Sequence, residues 1–210
     1  MYNFECRHFL GNKENIYDTE QLDDEALALI LRPEKQIKVT TTAQVNHASG
    51  LQARLAPQLT TTVTSSIFDQ AHPNCLTFSD NGRLFVGDNR GTIGAWDISL
   101  RHGNLIVENH FKITNKELEG DEINSIKVHP EHTNQLVVHS RDNCIRMVEY
   151  ESSRGPRVRH RFFGAKCKDL MVQSCVSPDG QFVISGSEDG RPRIWDTTLE
   201  QSYNPQQYEC

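Results

Sequence analysis

His129 and His132 stand three residues apart in the string HPEH. Two imidazoles at such a spacing can share a metal ion when they project from one helical face. Pro130 lies between them, in a stretch that reads as the turn between two strands, so the pair is expected to serve that turn. His139 falls in a β-prone run with no assignable acidic or thiol partner, and reads as structural. Cys167 precedes Lys168 and Asp169, and a neighbouring cation favours thiolate. A nucleophilic cysteine also needs a positioned base, and no motif places any of the nine histidines beside it. The carboxylate pair Glu188-Asp189 runs straight into Gly190, which is turn chemistry: Asp accepts backbone N–H bonds and Gly supplies a permissive dihedral. No glycine-rich phosphate loop occurs. The expectation is a chain with no catalytic residues, no metal and no cofactor.

The charge feature that exceeds background is basic: Arg154, Arg157, Arg159, His160, Arg161, Lys166 and Lys168. In a strand, Arg157, Arg159 and Arg161 point to one face and make a short positive stripe. Such a stripe either protects an edge strand against unwanted pairing or meets an acidic partner or phospholipid. Nucleic acid is disfavoured, because no aromatic residues are interleaved with the cations and the chain is acidic overall.

The elements that must position these residues belong to a chain of 210 residues with a formal net charge of −6 and a pI of about 5.8. That length allows one domain and an appended segment. Six cysteines without a CxxC pair suggest neither a zinc ribbon nor a disulfide framework, and free thiols in a reducing compartment are expected. The first ten residues lack an apolar signal-like run, and no window approaches a membrane span of about 18 apolar residues. The expected location is cytoplasmic.

Self-similarity then organises the chain. CLTFSDNGRLFVGDNRGTIGAWDI from Cys75 to Ile98 and SCVSPDGQFVISGSEDGRPRIWDT from Ser174 to Thr197 are related. A weaker copy, SIKVHPEHTNQLVVHSRDNCIRMVEY, lies between them from Ser125 to Tyr150. Anchored on Trp96, Val148 and Trp195, the copies are spaced by 52 and 47 residues, slightly above the roughly 40 to 45 of a propeller-blade repeat. Each copy holds three β-prone runs separated by turn chemistry, a β-meander. A fourth strand is expected at Leu105 to Ile113 and at Arg157 to Phe163.

SPDG at Ser177 to Gly180, GSEDG at Gly186 to Gly190 and IWD at Ile194 to Asp196 resemble a WD40 repeat. The resemblance implies an all-β, WD40-type β-propeller with about three blades visible, near 71–113, 121–163 and 167–197. It also implies a hydrogen-bonded network through Ser185, Asp189 and Trp195, with Cys167 in the place of a histidine. The middle copy keeps Asp142 but has Val148 at the Trp position, and the first keeps Trp96 but has Arg90 in place of the Asp. No copy can build the full network, so apolar packing is expected to carry the blades. Three copies cannot close a ring of about four to eight blades. The chain is therefore a fragment, a partial product or half of an assembly, or it hides divergent blades in residues 1–70. There Asp18-Thr19-Glu20-Gln21 resembles a capping box ahead of Leu22, Ala26, Leu29 and Ile30. A short acidic helix near Thr19 to Arg32 is expected, followed by strands at Ile37 to Val45 and Leu59 to Phe68 or by a disordered linker. Residues 201–210 read as a tail.

A narrower resemblance runs through ITNKE at Ile113 to Glu117, VHP at Val128 to Pro130, VVHSRD at Val137 to Asp142, IRM at Ile145 to Met147, RFFGA at Arg161 to Ala165 and GSEDG. In that order they look like the propellers of the jouberin family. That resemblance implies a non-catalytic protein-protein interaction scaffold at the ciliary transition zone or basal body, supporting cilium assembly with transition-zone components as partners. The alternative is a generic WD40 adaptor or a substrate-recruiting subunit of an enzyme complex such as a ubiquitin ligase. Either function is display of loop and rim residues by rigid blades.

Overall fold

The computed structural model describes residues 15–21, 26–32, 36–41, 60–63, 71–101 and 104–199. Their strands fall into four antiparallel sheets that follow one another along the chain, and each strand pairs with its sequence neighbours. Blade 1 holds β1 (Asn15–Gln21), β2 (Ala26–Arg32), β3 (Gln36–Thr41) and β4 (Thr60–Val63). Blade 2 holds β5 (Pro73–Ser79), β6 (Arg83–Asp88), β7 (Ile93–Arg101) and β8 (Asn104–Ile113). Blade 3 holds β9 (Ile123–Val128), β10 (Gln135–Ser140), β11 (Cys144–Glu149) and β12 (Arg157–Phe163). Blade 4 holds β13 (Ser174–Val176), β14 (Phe182–Ser185) and β15 (Arg193–Asp196). The first strands of successive blades lie against one another, β1 on β5, β5 on β9 and β9 on β13. This is the radial stacking of a WD40-type β-propeller, here as an arc of the ring.

The fourth strands expected after the first two copies are present as β8 and β12. The helix expected near Thr19 to Arg32 is not: that segment contributes β1 and β2, and no helix occurs among the described residues. The run Ala26-Leu27-Ala28-Leu29-Ile30-Leu31 satisfies a period of two as well as one of 3.6, and short buried apolar runs are ambiguous on that ground. Asp18 pairs with Ile30 across the β1–β2 ladder rather than capping anything. A lone helix of this length is marginal, whereas β2 finds ladder partners on both sides, Ile30 opposite Ile37 of β3. The expected tail at 201–210 lies outside the described residues.

Period-two alternation decides what each blade shows its neighbours. In β10, Leu136 and Val138 join a cluster with Phe85, Ile93 and Ile113 of blade 2. Val137, one residue out of phase, joins Phe162, Val183 and Trp195 toward blade 4. The inner strands carry a bulge at the same place, Asn74 in β5 and Asn124 in β9. Each bulged asparagine reaches the next unit: Asn74 Nδ2 donates to Glu122 Oε1 at 2.6 Å and Asn124 Nδ2 to Cys167 O at 3.2 Å.

The second turns of blades 2, 3 and 4 repeat a left-handed residue, Gly91 (φ 82°), Asn143 (φ 65°) and Gly190 (φ 75°). Glycine, or asparagine as the next-best choice, is what such a position admits. Gly91 has a further reason, because a Cβ there would stand 1.7 Å from Leu118 O.

Trp195 is 2 % exposed and tilts against Phe162 of blade 3 with ring centroids 6.1 Å apart, so it joins the last two blades. Trp195→Ala should cost about 3–5 kcal/mol. The check is a thermal melt of the variant beside the wild type; an unchanged midpoint would contradict this packing.

Candidate functional site

The second turns of blades 3 and 4 are built alike. In blade 3, Ser140 Oγ donates to Asp142 Oδ1 at 2.9 Å, and the Asp142 carboxylate is clasped by Arg146, with Arg146 Nη1 3.1 Å from Oδ1. In blade 4, Asp189 Oδ2 accepts from Arg193 Nη2 at 2.7 Å and its Oδ1 accepts the Arg191 N–H at 3.1 Å. Arg146 and Arg193 are almost fully buried, and a buried guanidinium is retained where it is ion-paired. Blade 2 departs. Asp88 takes the serine position and accepts the Arg90 and Thr92 N–H groups at 2.8 Å each. Arg90 stands where Asp142 and Asp189 stand, and Gly94 where Arg146 and Arg193 stand.

These clasps divide the residues grouped from sequence. Asp189 and Asp142 are each claimed by an arginine on the following strand. Trp195 Nε1 donates to Phe163 O at 3.1 Å across the blade boundary. Ser185 Oγ lies 2.9 Å from Gly186 O and 3.4 Å from His139 Nδ1. Trp96 is 1 % exposed within blade 2. Cys167 does not face Ser185: its thiol donates to Ser140 O at 3.0 Å and its N–H to Asn143 Oδ1 at 2.8 Å. It is fully buried, and burial pushes its thiol up to about 11, so thiolate does not form at neutral pH. The arginine partners escaped the sequence reading, although the spacing Asp-x-x-x-Arg recurs in both copies and could have revealed them.

Arg157, Arg159 and Arg161 are all exposed on β12, the outermost strand of blade 3, but they do not share one face. A bulge at Arg159 breaks the alternation: Arg157 lies opposite Glu149 and Arg161 opposite Arg146, so those two leave opposite sides of the sheet. They are not free charges. Glu149 Oε2 accepts from Arg157 Nε at 2.8 Å and from Arg159 Nε at 2.6 Å. Arg161 forks onto Glu117, its Nε and Nη2 each 2.6 Å from one carboxylate oxygen. The Arg161 guanidinium accordingly holds the Glu117 carboxyl below its ordinary range. Three guanidiniums thus meet two carboxylates on this edge.

The HPEH pair forms a turn. His129 Nδ1 accepts the N–H groups of Glu131 and His132 at 3.2 Å each, which places the proton on Nε2 and directs it to Gly180 O, 3.2 Å away in blade 4. His132 stacks on the same ring at 4.8 Å. Among the described residues no cluster of histidine, cysteine and carboxylate groups suits a metal ion.

A polar seam joins blades 3 and 4 behind these groups. Ser125 Oγ is 3.3 Å from Ser174 O, Gln173 Nε2 donates to Asn124 O at 3.3 Å, and His139 meets Ser185. His139 is completely buried and its Nε2 has no hydrogen-bond partner.

Fold and turn chemistry together define a WD40-type β-propeller segment. Residues 160–196 match the model of the WD domain, G-beta repeat. The chain is similar to jouberin: it is 28% identical to the Rattus norvegicus protein over 132 residues, covering 58% of this chain and 12% of the relative. With jouberin of Mus musculus it is 27% identical over 128 residues, with the same coverage. It thus spans about an eighth of the length of these relatives. Among solved structures it is similar to a chain of the mitotic checkpoint complex, with a TM-score of 0.57 at 15% identity, covering 90% of this chain and 49% of that one. It is also similar to the Cps50 (Swd1) beta-propeller domain of Myceliophteria thermophila, with a TM-score of 0.63 at 14% identity, covering 93% and 60%.

Burial lowers the His139 pKa from 6.5 to about 4. Above pH 6.5 the ring is neutral in both folded and unfolded chains, and its contribution is intact. As the pH falls from 6.5 toward 4 the unfolded chain binds a proton that the folded chain refuses, so stability declines. The loss from this group is roughly 3 kcal/mol and ends near pH 4. Urea melts between pH 7 and 4 should show this slope, reduced in His139→Asn; equal slopes in the two proteins would refute the assignment.

Proposed function

We propose that this chain works as a non-catalytic protein-interaction scaffold of the jouberin-like kind, supporting cilium assembly at the transition zone or basal body. The observation that carries the reading is the similarity to jouberin over more than half of the chain, together with blades whose bodies are consumed by stacking. Both faces of β9, β10 and β11 are largely buried, so the groups left to meet a partner are those of turns, inter-blade loops and outer edges. No bond is made or broken; the blades hold such groups in fixed register. The described residues include no helix long and apolar enough to cross a membrane.

The exposed edge of blade 3 along β12 is a candidate partner surface within this reading. Arg157, Arg159 and Arg161 each use one or two donors on glutamate, and a guanidinium has five. Donors therefore remain for an acidic partner. Because Glu149 and Glu117 already sit against these arginines, charge reversal would create repulsion inside the protein, and neutral replacement is the cleaner change.

The tagged protein, expressed in ciliated cells, is expected to concentrate at the cilium base, and proximity labelling from it should recover transition-zone proteins. A diffuse signal with no such neighbours would leave a generic WD40 adaptor. Arg157→Gln with Arg159→Gln should lower partner capture severalfold without moving the melting midpoint; unchanged capture would remove the stripe from the binding surface.

A further inference from the structure

The charge reversal at the second turn of blade 2 has a setting of its own. Arg90, Gly91 and Thr92 of that turn and Thr114, Asn115, Lys116 and Glu119 of the loop leading to blade 3 enclose a cleft of about 370 Å³. Where blades 3 and 4 present an aspartate locked to its own arginine, blade 2 presents an exposed arginine with no locking partner. No hydrogen bond or ion pair to the side chain of Arg90 or of Lys116 occurs among the described residues. Asp88, the nearest carboxylate along the turn, is buried and spends Oδ1 on two backbone N–H groups.

The walls are fixed. Gly120 N donates to Arg90 O at 3.0 Å, and Leu118 N to Asn115 O at 3.0 Å. Asn115 Oδ1 accepts the Glu117 N–H at 2.9 Å while its Nδ2 holds Pro156 O at 3.0 Å. Leu118 is completely buried, and the turn approaches it so closely that Gly91 admits no side chain. A cleft whose backbone is tied down on both sides leaves only the side chains of its cations to be ordered at the moment of binding.

We propose that this cleft receives a phosphorylated serine or threonine side chain of a partner protein, with Arg90 and Lys116 supplying the cations and the hydroxyls of Thr92 and Thr114 further donors. The inference rests on the scaffold reading and names the chemistry of one of its partners. A phosphate group brings close to two negative charges and three acceptor oxygens, which suits two cations and neighbouring hydroxyls better than a lone carboxylate does. Two cations against the single carboxylate of Glu119 make the lining locally positive on a chain whose formal net charge is −6. That overall charge opposes an extended polyanion such as a nucleic acid or an anionic membrane, while a single phosphorylated side chain feels mainly the cleft, because screening limits the reach of charge to about 8 Å. No aromatic residue lines the cleft to stack a base.

The test uses the full chain and two degenerate peptide pools of equal length, one with phosphoserine fixed at the centre and the other with serine. Fluorescence anisotropy should show the phosphoserine pool binding at least tenfold tighter, and amide NMR should place the perturbation at Gly91, Thr92, Thr114 and Lys116. Arg90→Glu with Lys116→Glu should abolish the preference at an unchanged melting midpoint, and the milder Arg90→Gln should weaken it severalfold. Arg154→Glu, a charge reversal on another loop, should leave it intact. Equal binding of the two pools, a preference that survives the double variant, perturbations mapping elsewhere, or phosphatidylserine vesicles binding as well as the peptides would each overturn the proposal. Loss of the phosphopeptide preference leaves the scaffold reading standing on captured partners, whereas absent partners with the preference intact removes only the cellular reading.

Discussion

A four-stranded sheet with apolar side chains on both faces cannot satisfy itself, and everything else in this molecule follows from that. Leu136 and Val138 on one side of β10 and Val137 on the other have no route out of water except through a neighbouring blade. Burial of such side chains is worth about 1.5–3 kcal/mol each, so the stacking of blades 2, 3 and 4 is what makes any of them a stable sheet. The polar features serve the stacking: Asn74 and Asn124 stitch one inner strand to the next unit, and the neutral His129 ring closes on the Gly180 carbonyl.

The parts of this architecture that local chemistry dictates could be read before the structure. Turn residues fall where turns are, and the fourth strands β8 and β12 lie where β-branched alternation indicated. The N-terminal third resisted because the six apolar residues from Ala26 to Leu31 fit either period; which one holds depends on whether β3 is available to pair, and that is a tertiary fact. The site divides in the same way. That Arg157, Arg159 and Arg161 would share a face follows from the pleat of an unbroken strand; the bulge at Arg159 that turns Arg161 to the other side is not written in the local pattern. That Glu117, 44 residues from Arg161, neutralises one of them depends on how the inter-blade loop folds back, and no local pattern encodes it.

Departure from the repeat is also informative about roles. Asp142 and Asp189 sit in equivalent turns and meet equivalent arginines, so their charges are internal matters of the blade. Arg90 occupies the equivalent place with the opposite sign and without the partner strand residue, since Gly94 stands there. A position freed from its structural duty is one where side-chain chemistry can address something outside the protein.

The seams on either side of blade 3 are unlike in kind. The seam between blades 2 and 3 is lined by a continuous apolar cluster. The one between blades 3 and 4 combines a smaller apolar cluster with serine hydroxyls, an asparagine oxygen and an imidazole nitrogen left without partners. The arc of blades 2 to 4, pulled from its ends, therefore has a built-in fault line. It would part between blades 3 and 4, where water can take over contacts the protein leaves unmade, while blades 2 and 3 travel together as one piece.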